Sequence, residues 1–206
     1  ILRLSMKRSE RWRKMKYDLR KDEEEIKESF YEPVKMSVFS WEGEIDTLMT
    51  PLDSMKYYKS FFRPGMMSMD PRNGKIKAWV GGMNYRHFQY DMVKKGKRQI
   101  GSTFKPFVYA AALDSGYSPA TIVIDAPIEI NTPEGLWRPK NSSETFYGPT
   151  PLRIGIERSR NLMTIRLAQE VGLDVLGNYA EKFGVYKNMK QYLSNSLGAE
   201  ETTLYN

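Results

Sequence analysis

Apolar positions in the first thirty residues recur at helical spacing. Trp12, Met15 and Leu19 stand at i, i+3 and i+7 with charge on the other sides. Asp22, with Glu25 three positions on, has the spacing of a capping box ahead of Ile26 and Phe30, and Pro33 closes that segment. Two short helices are therefore predicted over 1–32. The period then changes. Val34 to Trp41 alternates apolar with polar, Glu42-Gly43-Glu44 turns the chain, and Ile45 to Met49 alternates back, which predicts a hairpin. Asp53 is the expected cap of a helix that carries Met55, Tyr58, Phe61 and Phe62 and ends before Pro64-Gly65. These elements bury little by themselves, so residues 1–62 read as a module that packs on something else.

A second hairpin is predicted from Met66–Asp70 and Lys75–Val80 around Asn73-Gly74, a pair suited to left-handed turn positions. Gly81-Gly82 ends it. A loop with His87 and the exposed basic run Lys94 to Arg98 leads to Gly101-Ser102. From Ser102 a helix is expected through Leu113, with Pro106 near its first turn and Gly116 past its end. Residues 117–155, rich in Pro, Gly, Asn and Ser, read as an extended, turn-rich crossing. Ile156, Leu162, Met163, Ile165, Leu167, Ala168 and Val171 then form a broad apolar stripe that stops at Gly172. Helices are expected over Val175–Phe183 and Lys190–Leu197, and Glu200 to Thr203 begins a further element. The predicted class is α+β, an antiparallel sheet packed on a helical cluster.

Composition narrows the chemistry. Hydrophobic residues at 40% and charged residues at 28% of 206 describe a globular chain. The densest apolar run, Phe107 to Leu113, is far shorter than the roughly 18 residues of a membrane span. The opening Ile1-Leu2-Arg3-Leu4 runs straight into charge without an apolar signal core. With no Cys and one His, thiol nucleophiles, thiolate metal sites and paired-histidine chemistry are excluded, and no metal or cofactor is expected. The base of an enzyme must then be Lys, Asp or Glu. The net charge of +7 lies upstream, since residues 1–100 carry 22 Lys and Arg against 14 Asp and Glu. Arg3 to Lys21 could meet anionic lipid or nucleic acid. The acidic run Asp22–Glu25 follows at once and no nucleic-acid motif accompanies it, so a solvated helix face is the simpler account.

One constellation carries chemistry. On a helix Ser102 and Lys105 share a face, so hydroxyl and amine can come within hydrogen-bond reach at its N-terminus. Partial burial and the helix dipole both favour a neutral amine, a base for the Ser102 hydroxyl as it attacks a carbonyl. A lone Ser-x-x-Lys is a weak signal, and Ser as a cap with Lys as solvated charge is its bland rival. Ser159-Arg160-Asn161 stands at the mouth of the next long helix, where Ser159 or Asn161 is also a plausible cap.

Gly101-Ser-Thr-Phe-Lys-Pro106 resembles the first active-site motif of the penicillin-binding proteins, and Ser159-Arg-Asn161 their second, Ser-x-Asn motif. Met69-Asp-Pro-Arg-Asn-Gly-Lys-Ile-Lys-Ala-Trp-Val-Gly-Gly82 resembles the hairpin that opens the transpeptidase domain of the class A, bifunctional proteins of the 1A type. Phe88-Gln-Tyr-Asp-Met, Trp137-Arg-Pro-Lys-Asn141, Tyr147-Gly-Pro and Ser196-Leu-Gly-Ala-Glu200 resemble its connecting segments. The resemblance implies the penicillin-binding protein/serine β-lactamase-like transpeptidase fold. Residues 1–62 would be the linker between glycosyltransferase and transpeptidase domains, and 63–206 the front part of the transpeptidase.

It also implies an acylated nucleophile at Ser102, its base at Lys105, a proton relay at Ser159, and Asn161 holding the peptide amide. Trp137 and Asn141 would border the substrate cleft. Partners would be D-Ala-D-Ala stem peptides of peptidoglycan and β-lactams, at the periplasmic face of the bacterial inner membrane, with the membrane reached through a segment outside this chain. No nucleic acid is expected.

The family's third motif, Lys-Thr/Ser-Gly, does not occur in the 206 residues, nor does the acidic signature of its glycosyltransferase. That strand supplies an oxyanion N–H and a cation for the substrate carboxylate. The chain is therefore expected to be a fragment of weak activity that self-associates through an uncovered sheet edge. Two rival functions remain at this stage. One is a serine β-lactamase or β-lactam sensor on the same fold, although no Glu-x-x-x-Asn follows Asn161 to deacylate. The other is a non-catalytic module binding lipid or nucleic acid through residues 1–21.

Overall fold

The computed structural model describes residues 1–133 and 135–206, and their contacts divide them into two compact units. The first comprises residues 1–64 and 82–89, the second residues 65–81 and 90–206. No described helix is long and apolar enough to cross a membrane.

In the first unit, α1 (Leu2–Arg8) and α2 (Glu10–Arg13) precede a π-helical turn over Lys14–Asp18, and α3 (Glu23–Glu28) follows. Asp22 caps α3, its Oδ1 accepting from the N–H groups of Glu24 and Glu25 at 2.9 and 2.8 Å. Met6, Trp12, Ile26 and Phe30 form the core of this part, with Met15, Leu52 and Met55 against it. Strands β1 (Val34–Ser40) and β2 (Gly43–Met49) form the predicted hairpin, but its turn is Trp41-Glu42 and not Glu42-Gly43-Glu44, so Ser40 stands opposite Gly43 and Val34 opposite Met49.

Helix α4 (Pro51–Ser60) is capped by Thr50 and not by Asp53. Pro51 takes the first helical position, where a missing N–H is harmless, so the cap moves one residue ahead of it. The module also has a second apolar cluster. Phe39 meets Phe61 and Phe88 edge-on at 5.5 and 5.2 Å, which draws residues 82–89 into this unit. His87 lies within the cluster. It shares hydrogen bonds with Tyr58 at 3.1 Å and Glu44 at 2.8 Å. Lys7, Lys14, Lys16 and Lys21 are paired with Glu23, Glu10, Glu23 and Glu25, so much of the basic segment is neutralised locally.

The second unit opens with β3 (Met66–Met69) and β4 (Ile76–Val80). Only Gly74 of the Asn-Gly pair is left-handed, at φ +69°, because Asp70 organises the turn by accepting from the backbone N–H and guanidinium of Arg72. After β5 (Arg98–Gln99) and a 3-10 turn comes α5 (Lys105–Asp114). The Pro-rich crossing holds β6 (Ile122–Asp125), a small β7 (Ile130–Thr132) and β8 (Gly135–Trp137) hairpin, and β9 (Gly148–Pro151) paired with β6. The long apolar stripe breaks into α6 (Leu152–Glu157) and α7 (Asn161–Val171). Helix α8 (Leu173–Lys182) and a 3-10 turn over Leu193–Leu197 lead to β10 (Glu201–Thr202), which pairs with β5.

Helices α5, α7 and α8 bury Phe104, Val108, Ala111, Ala112, Met163, Leu167, Ala168, Leu176 and Ala180 in one core. The class is α+β. The single expected sheet is instead five two-stranded antiparallel ladders among the described residues, since prolines and turns cut the crossing into strands of three or four residues.

Candidate active site

Ser102 and Lys105 stand where a 3-10 turn, Gly101–Phe104, passes into α5. In a 3-10 turn residues i and i+3 eclipse, which keeps the two on one side, and Pro106 in the first α-helical turn sacrifices no backbone bond. Ser102 is exposed, and its hydroxyl makes no hydrogen bond among the described residues. The expected Ser102–Lys105 hydrogen bond is thus absent here, because the amine is drawn elsewhere. Lys105 is 2% exposed, and its Nζ donates to the Ser159 carbonyl at 2.7 Å, the Ser159 hydroxyl at 3.0 Å and Asn161 Oδ1 at 2.6 Å.

Three acceptors satisfy the three N–H groups of an ammonium. On losing a proton the amine keeps two donors and can receive one from the Ser159 hydroxyl. Burial first, and then the nearby Arg160 guanidinium, pulls Lys105 down to about 8. A buried amine that titrates there is a competent base near neutral pH.

The acceptors owe their places to a break between two helices. After α6 the backbone of Ser159 turns left-handed at φ +52°, while the N–H groups of Ser159 and Arg160 close onto Ile156 and Gly155. Glycine usually takes that position, so the serine carries backbone strain, and strain of this kind gathers at functional sites. Asn161 opens α7 and donates through Nδ2 to the Lys140 carbonyl at 2.8 Å. Asn141 Oδ1 accepts from the N–H groups of Asn161 and Leu162 at 2.9 and 3.2 Å, capping α7 from a distant loop. On the Ser102 side, Gly101 N–H donates to the Gly198 carbonyl at 3.0 Å. Gly198 is left-handed at φ +72°, and a Cβ there would fall on the Gly101 backbone.

Residues 64–201 match the family described as the penicillin binding protein transpeptidase domain, and residues 1–62 match the penicillin-binding protein middle domain. The chain belongs to the penicillin-binding protein transpeptidase family. It is 40% identical over 141 residues to penicillin-binding protein 1A of Pseudomonas aeruginosa, covering 67% of this chain and 17% of that protein. For the 1A protein of Vibrio cholerae the figures are 46% over 120 residues, 57% and 14%. The chain therefore spans under a fifth of the length of these relatives. Among solved structures, penicillin-binding protein 1A from Haemophilus influenzae superposes with a TM-score of 0.63 at 35% identity, covering 68% of this chain and 21% of that one. PonA1 from Mycobacterium tuberculosis, solved in complex with penicillin V, superposes over 94% of this chain and 53% of its own. Its TM-score is 0.60 at 18% identity, a likeness of fold.

Within this penicillin-binding fold the structure brings Lys105, Ser159 and Asn161 into direct contact and leaves Ser102 three residues from the amine on the exposed turn. Asn141 departs from the expectation that it borders an open cleft. It is buried, and its whole amide is spent on Asp125, the Thr145 carbonyl and the two α7 N–H groups. Trp137 is half-buried at the end of β8, across from Ile130, and makes no hydrogen bond to these groups among the described residues. Sequence reasoning missed Asp125, Arg160 and Gly198. In the sequence Asp125 is only a lone acid closing the apolar run Ile122-Val-Ile, and Arg160 is only the variable middle of the Ser-x-Asn pattern. Among the described residues no cluster of three or more His, Asp or Glu is placed to hold a metal.

Proposed function

We propose that this chain supplies the nucleophile-bearing part of a serine D,D-transpeptidase that cross-links peptidoglycan and is trapped by β-lactams. The observation that carries the reading is the buried Lys105 amine, hydrogen-bonded to both Ser159 and Asn161 beside an exposed Ser102. Neutral Lys105 takes the Ser102 proton as Oγ bonds to the substrate carbonyl carbon. The tetrahedral oxyanion collapses, the C–N bond breaks, and the proton passes through Ser159 to the leaving amine. A second amine, from a neighbouring stem peptide, then reverses these steps. Asn161 orients the substrate amide, and the Ser102 N–H at the helix entrance faces the developing oxyanion. The chain's likeness to penicillin-binding proteins 1A supports a setting in the bacterial cell envelope, in a protein that also carries glycosyltransferase and membrane-anchoring parts.

The β-lactamase reading is disfavoured by the site itself: Lys105 and Ser159 are the groups in contact, and no carboxylate among the described residues joins them. In the full-length protein that carries this chain, Ser102→Ala is expected to abolish labelling by a fluorescent penicillin, and the wild-type adduct is expected to persist for many minutes. Undiminished labelling would end the assignment, and rapid turnover of the penicillin would move it to a β-lactamase.

A further inference from the structure

Beneath the Ser159–Asn161 turn lies a closed ion pair that the transpeptidase chemistry above does not use. Asp125, at the end of β6, is 0% exposed, and the Arg160 side chain is 3% exposed. Arg160 Nε and Nη2 both reach Asp125 Oδ2, at 2.8 and 2.7 Å. Nη1 donates to the Ser143 hydroxyl at 2.8 Å, Nη2 also donates to the Thr145 carbonyl, and the guanidinium lies 4.1 Å over the Tyr147 ring. The other side of the carboxylate is equally occupied. Asn141 Nδ2 donates to Oδ1 at 2.8 Å, and the Tyr147 N–H donates to Oδ2 at 3.1 Å.

We infer that Asp125 is the positioning residue of this site, acting through Arg160 and Asn141 to hold Ser159 and Asn161 against Lys105. The inference rests on the transpeptidase reading and adds to it. A buried ion pair is a poor source of stability, since apolar residues of equal volume often serve as well. What distinguishes this one is where its two partners lead. Arg160 is the residue between Ser159 and Asn161, so fixing its guanidinium fixes the strained turn that presents both acceptors. Asn141 grips the backbone N–H of Asn161. One carboxylate therefore sets both ends of the Lys105 cradle.

The pair also places charge near the amine. After burial, Arg160 is the charged group that acts on Lys105, and Asp125 is the counter-charge paired with it. Tyr109, one helical turn along α5, is kept protonated by burial. Asp114 at the far end of α5 pairs with Tyr179, and on the elements around it Glu157 pairs with Arg158 and Glu170 with Tyr117, all at the surface. Unbalancing the pair should therefore move the proton equilibrium of Lys105 in a direction set by which partner is lost.

The test is the pH profile of penicillin acylation in the full-length protein that carries this chain. Asp125→Asn leaves Arg160 uncompensated, and the acidic limb is expected to move down by about one pH unit. Arg160→Gln leaves the carboxylate uncompensated, and the limb is expected to move up by a similar amount. Asp125→Glu keeps the charge and should hold the wild-type limb at a reduced rate. The double variant Asp125→Asn/Arg160→Gln has no unpaired charge and is the one to rely on if the single variants fail to fold. It is expected to acylate at least tenfold more slowly, with its limb between those of the singles. Limbs that stay fixed or shift the same way in both singles, or a double variant with the wild-type rate, would overturn the inference. Ser102→Ala, run alongside, separates the two readings. If it still labels, the transpeptidase reading fails, whereas if it is silent and the limbs do not move, only the role of Asp125 fails.

Discussion

The Lys105 ammonium leaves bulk water on folding and meets only the Ser159 and Asn161 oxygens, with a guanidinium behind them, which is why it titrates at about 8. Two predictions belong to this residue. Acylation of Ser102 should rise with pH through about 8 and then level, as the amine becomes a free base. Lys105→Arg, which stays protonated, should lower the rate by about 100-fold or more across that range, measured by stopped-flow labelling. The same shift acts on stability. The unfolded chain keeps its lysine proton up to 10.5 while the folded chain releases it near 8, so folding expels a proton between these values.

Wild-type stability, relative to Lys105→Met, should thus rise from pH 7 to 10 by up to about 3 kcal/mol in urea titrations. A flat difference would mean that the amine is not desolvated. The absolute stability of both proteins should fall above pH 10, since Tyr186 is pushed up to about 12 by burial and then by Glu200 and the folded state becomes the better proton holder, a contribution that cancels in the difference.

At the scale of elements, the site depends on two joints. The first is the left-handed Ser159 between α6 and α7. Ser159→Gly should relieve backbone strain and unfold about 1 kcal/mol later than Ser159→Ala, although both lose the hydroxyl and should acylate slowly. Equal stability of the two would mean that the turn is unstrained. The second is the contact of Gly198 with Gly101, backbone against backbone, with no side chain to give way. Gly198→Ala should cost about 3 kcal/mol in chemical denaturation and should slow acylation by displacing the turn that carries Ser102. Wild-type acylation in that variant would show that the brace is dispensable.

These joints mark the limit of what the pattern could tell. The β1–β2 hairpin, α5 and the stop at Gly172 follow from period and punctuation within a few residues, and they lie where those signals are. Thr50 displaced Asp53 as the cap because Pro51 fixes the helix start, a rule readable in the sequence once applied. The left-handed conformation of Ser159 at the break was not readable. Five polar residues, Glu157 to Asn161, and two candidate caps marked a helix start there, but the left-handed turn itself is held by Asp125 and Asn141, more than fifteen residues away in the chain.

Taken as a whole molecule, the chain is two compact units, most of the first matching the middle domain of penicillin-binding proteins, while the transpeptidase match takes in most of the second together with residues 82–89 of the first. The motif residues were legible because Gly101–Pro106 and Ser159–Asn161 are short local patterns. The buried pair beneath them was not, since a lone acid after an apolar strand has the same appearance whether it caps, pairs or faces water. The basic N-terminal stretch shows the converse. Its charge suggested an anionic partner, yet several of its lysines answer acids within the same unit.

In the proposed reaction Ser102 is the residue acylated, with Lys105 as its base. The most direct measurement is intact-mass spectrometry with peptide mapping, after incubating the full-length protein that carries this chain with a penicillin at pH 6 to 10. One added penicillin per chain is expected, on the peptide containing Ser102, forming faster as pH rises through about 8. An adduct on another residue, or one formed at an equal rate at every pH, would contradict it.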